Sequence, residues 1–156
     1  MSARHHATDE SNASVAGGHR IVVGIDGSAA SLAALDWSVR QAELTHADLE
    51  VIATWEWPTG FGWSMIPEGY DPASDMMTMV QPLLDGLRTD HPSVAVEAKI
   101  LEGHPAPVLI RESKGADLLV VGSRGHGEFV GMLIGSTSEH CVANAACPVV
   151  VFRGNT

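Results

Sequence analysis

The chain has 156 residues, of which 45% are apolar and 18% charged, and its formal net charge is −10. That length carries one domain with a core of its own. The acidity and the lack of a basic run argue against nucleic acid or anionic lipid as partners, because phosphate contacts dominate such binding.

Residues 1–18 are mostly Ser, Ala, His, Gly, Asp and Asn, a composition expected of a disordered tail before a domain spanning 19–156. They hold no apolar stretch of a secretory signal. The apolar run Ile21 to Ile25, closed by Asp26-Gly27-Ser28, reads as a buried strand and turn. Ser28 is placed to cap a helix whose apolar positions are Leu32, Leu35, Val39, Ala42 and Leu44. Leu49 to Trp55 reads as a second strand, and Trp57 to Asp71 as a long loop.

A second helix is expected from Pro72 or Ser74, carrying Met76, Met79, Val80, Leu83, Leu84 and Leu87, with a kink at Pro82. Val94 to Leu101 alternates as a strand, with Val94, Val96, Ala98 and Ile100 on one face. Pro107 sits in the first turn of a third helix running to Lys114. Asp117 to Gly122 is the most apolar strand so far. A glycine-rich loop follows, then a helix from Ser136 to Ala145 and a last strand from Val149 to Phe152. The alternation of strand and helix predicts a parallel sheet covered on both faces. Ligands of such sheets bind at the C-terminal strand ends, which directs attention to residues 26–28 and 122–136.

Between Gly122 and Gly135 five glycines fall in fourteen residues. Glycine lets backbone N–H groups approach a ligand closely. Ser136 and Thr137 then open a helix, whose N-terminus presents unpaired N–H donors and a partial positive charge. Together these form a phosphate cradle, set against the plainer reading of a surface loop with an N-cap. Lys99 and Lys114 are the only lysines and neither follows a glycine, which excludes a P-loop. A dinucleotide fingerprint fails because the glycines follow the fourth strand rather than the first.

The spacing Gly122-x-x-Gly125, nine residues, then Gly135-Ser136 resembles the G-2x-G-9x-G-[S/T] signature of ATP-binding universal stress proteins. Ile21 to Ser28 resembles that family's first strand and turn, and Cys147-Pro148-Val149-Val150-Val151 its last strand. The resemblance implies a Rossmann-like fold with a five-stranded parallel sheet of order 3-2-1-4-5 and helices on both faces. It implies ATP, accompanied by Mg²⁺, as the ligand, with cyclic AMP as an alternative. Gly24, Ile25 and Asp26 would lie along adenine and ribose, with the Asp26 carboxylate on a ribose hydroxyl. Val121 and Gly122 would border base and sugar. Arg124 and Gly125 would approach the phosphates, and Gly135, Ser136 and Thr137 would hold them. Glu56 would fall near the adenine edge, where the family usually has an apolar residue. The last strand, Val149, Val150, Val151 and Phe152, would be an edge through which a homodimer forms.

Charge chemistry agrees with this division. A carboxylate accepts from a ribose diol and repels phosphate, whereas the Arg124 fork suits phosphate oxygens. His126 has no visible partner to make it a general base, so any hydrolysis should be slow and the chain is expected to act as a binding module. The cysteines have no zinc spacing. They are too few for a disulfide framework, which points to a cytoplasmic, reducing compartment. The Trp/Met-rich stretch from Trp55 to Met79 either caps the sheet's C-terminal edge or forms a lid or partner surface.

Overall fold

The computed structural model describes residues 18–58, 66–125 and 134–153. Residues 1–17 of the expected 1–18 tail, and Phe61, Trp63, Met65 and His126, lie outside the described residues. In chain order the elements are β1 (Arg20–Ile25), α1 (Ala29–Thr45), β2 (Asp48–Trp55), α2 (Pro72–Asp90), β3 (Val96–Glu102), α3 (Pro105–Glu112), β4 (Leu118–Gly122), α4 (Ser136–Asn144) and β5 (Val149–Phe152). All strand pairs are parallel and the order is β3-β2-β1-β4-β5. The chain therefore winds outward from β1 in one direction and then returns to its other side, leaving a switch point between β1 and β4.

Alternation along the strands divides the core in two. Ile21, Val23, Leu49, Val51, Ala53 and Val96 face α1 and α2, with Leu35, Val39, Val80 and Leu84 packed on them. Val22, Ile52, Leu119 and Val121 face α3 and α4, where Val108, Leu109 and Cys141 cover them. The expected face is observed although β3 starts at Val96 rather than Val94: Val96 and, just before the strand, Val94 are buried in the first cluster, with Ala98 and Ile100 packed against it.

Several boundaries differ from the sequence expectation. Helix α1 buries Ser31, Ala34, Leu35, Ser38, Val39 and Ala42, whereas Leu32 and Leu44 are exposed. Small residues let α1 lie close on the sheet, and the Ser38 hydroxyl is satisfied by the Ala34 carbonyl at 2.7 Å. Helix α2 starts at Pro72, where Asp71 accepts from the Ala73 and Ser74 N–H groups. It runs unbroken through Pro82, which lies on its exposed side. Helix α3 starts two residues before Pro107 and ends before Lys114, at Glu112.

Helix α3 is short and is fixed at its C-terminal end by side chains. Ser113 is fully buried. Its hydroxyl donates to the Ile110 carbonyl at 2.7 Å and accepts from the Ala146 N–H at 2.8 Å, tying α3 to the segment before β5. Ser113→Ala would remove both hydrogen bonds, and a loss of about 0.5–1.5 kcal/mol is expected in urea unfolding. An unchanged midpoint would show that the Ala146 N–H finds another partner.

Arg20 serves the same end of the molecule. One of its nitrogens donates to Glu50 at 3.0 Å and the other to the carbonyls of Glu112 and Lys114 at 3.0 and 2.8 Å. The Lys99 ammonium lies 3.1 Å from Glu50 and 3.3 Å from Glu112. Burial opposes the charge on Glu112, but hydrogen bonds from Arg111 and Lys99 outweigh it and hold the carboxyl below its ordinary value. Burial also opposes the charge on Lys99, yet Glu50 and Glu112 prevail and raise its pKa.

A lowered carboxyl adds stability above its unfolded pKa and loses it as pH falls through the folded value. The raised ammonium adds stability below its unfolded pKa and loses it as pH rises through the folded value. Urea midpoints of Glu112→Gln should therefore fall less than those of the native chain between about pH 5 and pH 3. Parallel curves would contradict this assignment.

Candidate functional site

The strand ends at the switch point open onto a cavity of about 610 Å³. Gly24, Ile25 and Asp26 line it from β1 and its turn. Val121, Gly122, Arg124 and Gly125 line it from β4, and Ser136, Thr137 and Ser138 from α4. Nine of the ten residues named from the sequence thus surround one space. Gly135 does not line it: its N–H donates to the Ser123 carbonyl at 2.7 Å and closes the neck of the glycine loop.

The cavity has two chemically different ends. Toward β2, α2 and α3 it is walled by Ile52, Thr54, Met76, Pro105 and Leu109. Met76 belongs to the Trp/Met-rich stretch marked in the sequence, whereas no motif singled out Ile52, Thr54, Pro105 or Leu109, because apolar and β-branched residues in strands and helices read as ordinary core. Toward α4 it is polar. Gly135 caps that helix without a side-chain acceptor, so the first-turn N–H groups remain available. Helix α1 differs, because the Ser28 hydroxyl accepts from the Ser31 N–H at 3.3 Å and satisfies its own first turn. Helix α3, whose Pro105 lines the opposite wall, also lacks a side-chain cap, but its Pro105 and Pro107 carry no N–H, so the donor-rich helix start at the cavity is that of α4.

Three glycines there are set by space. A Cβ on Gly122 would stand 2.8 Å from the Ser31 nitrogen and 2.9 Å from the Ala30 carbonyl carbon. Gly122 therefore admits the first turn of α1, and its carbonyl accepts from Ser138 of α4 at 2.5 Å. A Cβ on Gly125 would stand 2.6 Å from an Asp26 carboxylate oxygen. Asp26 also accepts from the Ser28 N–H at 2.9 Å, so its carboxylate is held between the β1 turn and the glycine loop. A Cβ on Gly24 would meet Leu109 at 2.8 Å, so α3 sits directly on β1 beside the cavity.

Asp26 and Arg124 are the charged side chains of the lining, one of each sign. Glu56 does not line the cavity; its carboxylate pairs with His104 at 3.1 Å, beside the start of α3. Cys141 is fully buried, and burial pushes its thiol up to about 11, so it serves as a core hydrophobe rather than a nucleophile. Trp55 and Trp57 stack edge to face with centroids 5.6 Å apart. Met76 reaches the cavity while Trp57, Tyr70 and Met77 remain exposed. Among the described residues no group of three or more His, Cys, Asp or Glu could hold a metal ion, and no helix is long and apolar enough to cross a membrane.

A model of the universal stress protein family matches residues 18–153, and the chain belongs to that family. It is 35% identical over 141 residues to Universal stress protein Rv2623 of Mycobacterium tuberculosis. The match covers 85% of this chain and 44% of that protein, so the chain spans less than half the length of this relative. Among solved structures, UspA from Lactobacillus plantarum superposes with a TM-score of 0.69 at 22% identity, covering 86% of this chain and 97% of that one. A universal stress protein in complex with cAMP gives 0.64 at 23% identity, covering 88% and 98%. A family member from Arabidopsis thaliana with AMP bound gives 0.59 at 22% identity, covering 88% and 93%. At these identities the structural likenesses establish the fold.

Proposed function

We propose that the chain binds an adenine nucleotide, ATP in the first instance, in the cavity between β1 and β4, and acts as a nucleotide-dependent stress-response module. The observation that carries this reading is the division of one cavity into an apolar end and an uncapped helix N-terminus beside Arg124. A planar base suits the first and phosphates the second. The cAMP and AMP held by structural neighbours support the adenine class. They also keep cyclic AMP as a second reading, since its single phosphate needs only the α4 end. Asp26 sits between these ends, where a carboxylate suits ribose hydroxyls.

The described residues offer no protein cage for Mg²⁺. A magnesium ion would therefore arrive on the nucleotide's phosphates, where it offsets charge that a single Arg124 cannot. Chelating divalent ions should weaken ATP about tenfold or more while leaving adenosine within about twofold. Equal effects on both in calorimetric titration would overturn the role given to the metal. The reading itself is tested by releasing any bound ligand from purified protein by heat and identifying it by mass spectrometry. An adenine nucleotide is expected, and a different ligand class would overturn the proposal.

The same reading includes assembly. Strand β5 lies at the edge of the sheet, with Val149, Val150, Val151 and Phe152 each half-buried. An apolar edge strand is a template for pairing with a second copy. Sedimentation should give a homodimer, and a concentration-independent monomer would overturn this part.

A further inference from the structure

We propose that Thr54 is a base-recognition residue of the cavity, its hydroxyl accepting a hydrogen bond from the exocyclic 6-amino group of the purine. The assignment rests on the adenine-nucleotide reading and adds a residue that determines which base fits.

Thr54 is the penultimate residue of β2, and strand alternation puts its side chain on the same face as Ile52, toward α3. It lines the cavity among Ile52, Met76, Pro105 and Leu109. Those four offer no strong hydrogen-bonding group. Ser31, Ser136, Thr137 and Ser138 belong to the helix N-termini at the other side of the space. Among the described residues the Thr54 hydroxyl has no hydrogen-bond partner. Thr45, Thr78 and Thr89, which lie on helices, all donate to carbonyls of their own helix. Glu56, two residues further along, is held outside the lining by His104.

The orientation of a nucleotide then decides what meets this hydroxyl. With phosphates at α4 and ribose at Asp26, the base enters the apolar end with its glycosidic edge trailing. Its leading edge carries the 6-substituent. An exocyclic amine enclosed by apolar walls needs an acceptor, because an orphaned N–H is tolerated less well than an under-used acceptor. Thr54 supplies one.

The test compares AMP with purine riboside 5′-monophosphate, which lacks the 6-amino group, by calorimetric titration of the full chain. The native chain should prefer AMP by roughly fivefold or more, the worth of one hydrogen bond to a neutral donor. Thr54→Val keeps the branched shape and removes the hydroxyl, so the preference should fall to near unity. Thr54→Ser keeps the hydroxyl and should retain it. A preference unchanged in Thr54→Val, or an equal loss of both ligands, overturns the assignment alone. Should AMP not bind, the same comparison is made with ATP and purine riboside 5′-triphosphate, and absence of binding by AMP, ATP and cyclic AMP alike overturns the adenine-nucleotide reading and the assignment with it.

Discussion

Replacing Gly122 with alanine is expected to destabilise the protein by about 1–3 kcal/mol, the range for inserting a methyl group into a packed site. The added Cβ meets backbone on α1, 2.8 Å from the Ser31 nitrogen and 2.9 Å from the Ala30 carbonyl carbon. A side chain could rotate away, but a helix turn cannot. That turn is fixed by the Ser28 cap and by the Ser31 hydroxyl, which donates to the Ser28 carbonyl at 3.0 Å. On the other side, Ser138 holds the Gly122 carbonyl. The strand end is therefore clamped between two helices, and a shift of either alters the cavity as well. Urea unfolding should show a lower midpoint at unchanged slope. A native-like midpoint would mean that α1 yields without cost.

Gly125→Ala should act in the opposite way, with little loss of stability and a loss of nucleotide affinity of roughly 10- to 100-fold, the worth of one hydrogen bond to a charged group. The atom in its path is an Asp26 carboxylate oxygen, the terminal atom of a side chain, which can turn aside where backbone cannot. In turning it leaves the position facing the cavity and gives up the Ser28 N–H. If the proposed contact of Asp26 with ribose hydroxyls is correct, Asp26→Ala should lose about as much affinity as Gly125→Ala. The double variant should then be no weaker than Asp26→Ala, since the two substitutions remove one interaction. Additive losses would show that Gly125 meets the ligand itself.

Gly122 and Gly125 also show how far the sequence could be read. Their spacing to Gly135 marked the loop, and the apolar runs marked every strand in its correct place in the order. The spacing could not say what each glycine is for. Gly122 makes room for α1, Gly125 for a carboxylate, and Gly135 closes the neck of the loop through Ser123. Those reasons lie between elements distant in sequence, where no local pattern reports them.

The same holds for α1. A hydrophobic period picked Leu32 and Leu44, which are exposed, and passed over Ser31 and Ser38, which are buried. Small polar residues that satisfy their hydroxyls on their own helix pack as alanine does. Thr54 escaped notice for a related reason: a threonine in an apolar strand reads as a strand former. Only the sheet order and the placement of α3 put it in a cavity. Conversely, Glu56 stood out by its charge, yet the structure gives it to His104 rather than to the cavity.

The net charge of −10 suggested at first a protein averse to phosphate. The cavity shows why the global sum is a poor guide. Its lining carries one Asp and one Arg, and its phosphate-suited end is built from a helix terminus. Long-range repulsion is screened within about 8 Å at physiological salt, whereas backbone dipoles act at contact.

The central claim is that the cavity between β1 and β4 is a nucleotide site, and calorimetric titration of the full chain with ATP in the presence of Mg²⁺ tests it most directly. The account predicts saturable heat at one nucleotide per chain, reduced roughly 10- to 100-fold in affinity by Asp26→Ala at unchanged fold. Absence of heat with ATP, AMP and cyclic AMP alike would contradict it.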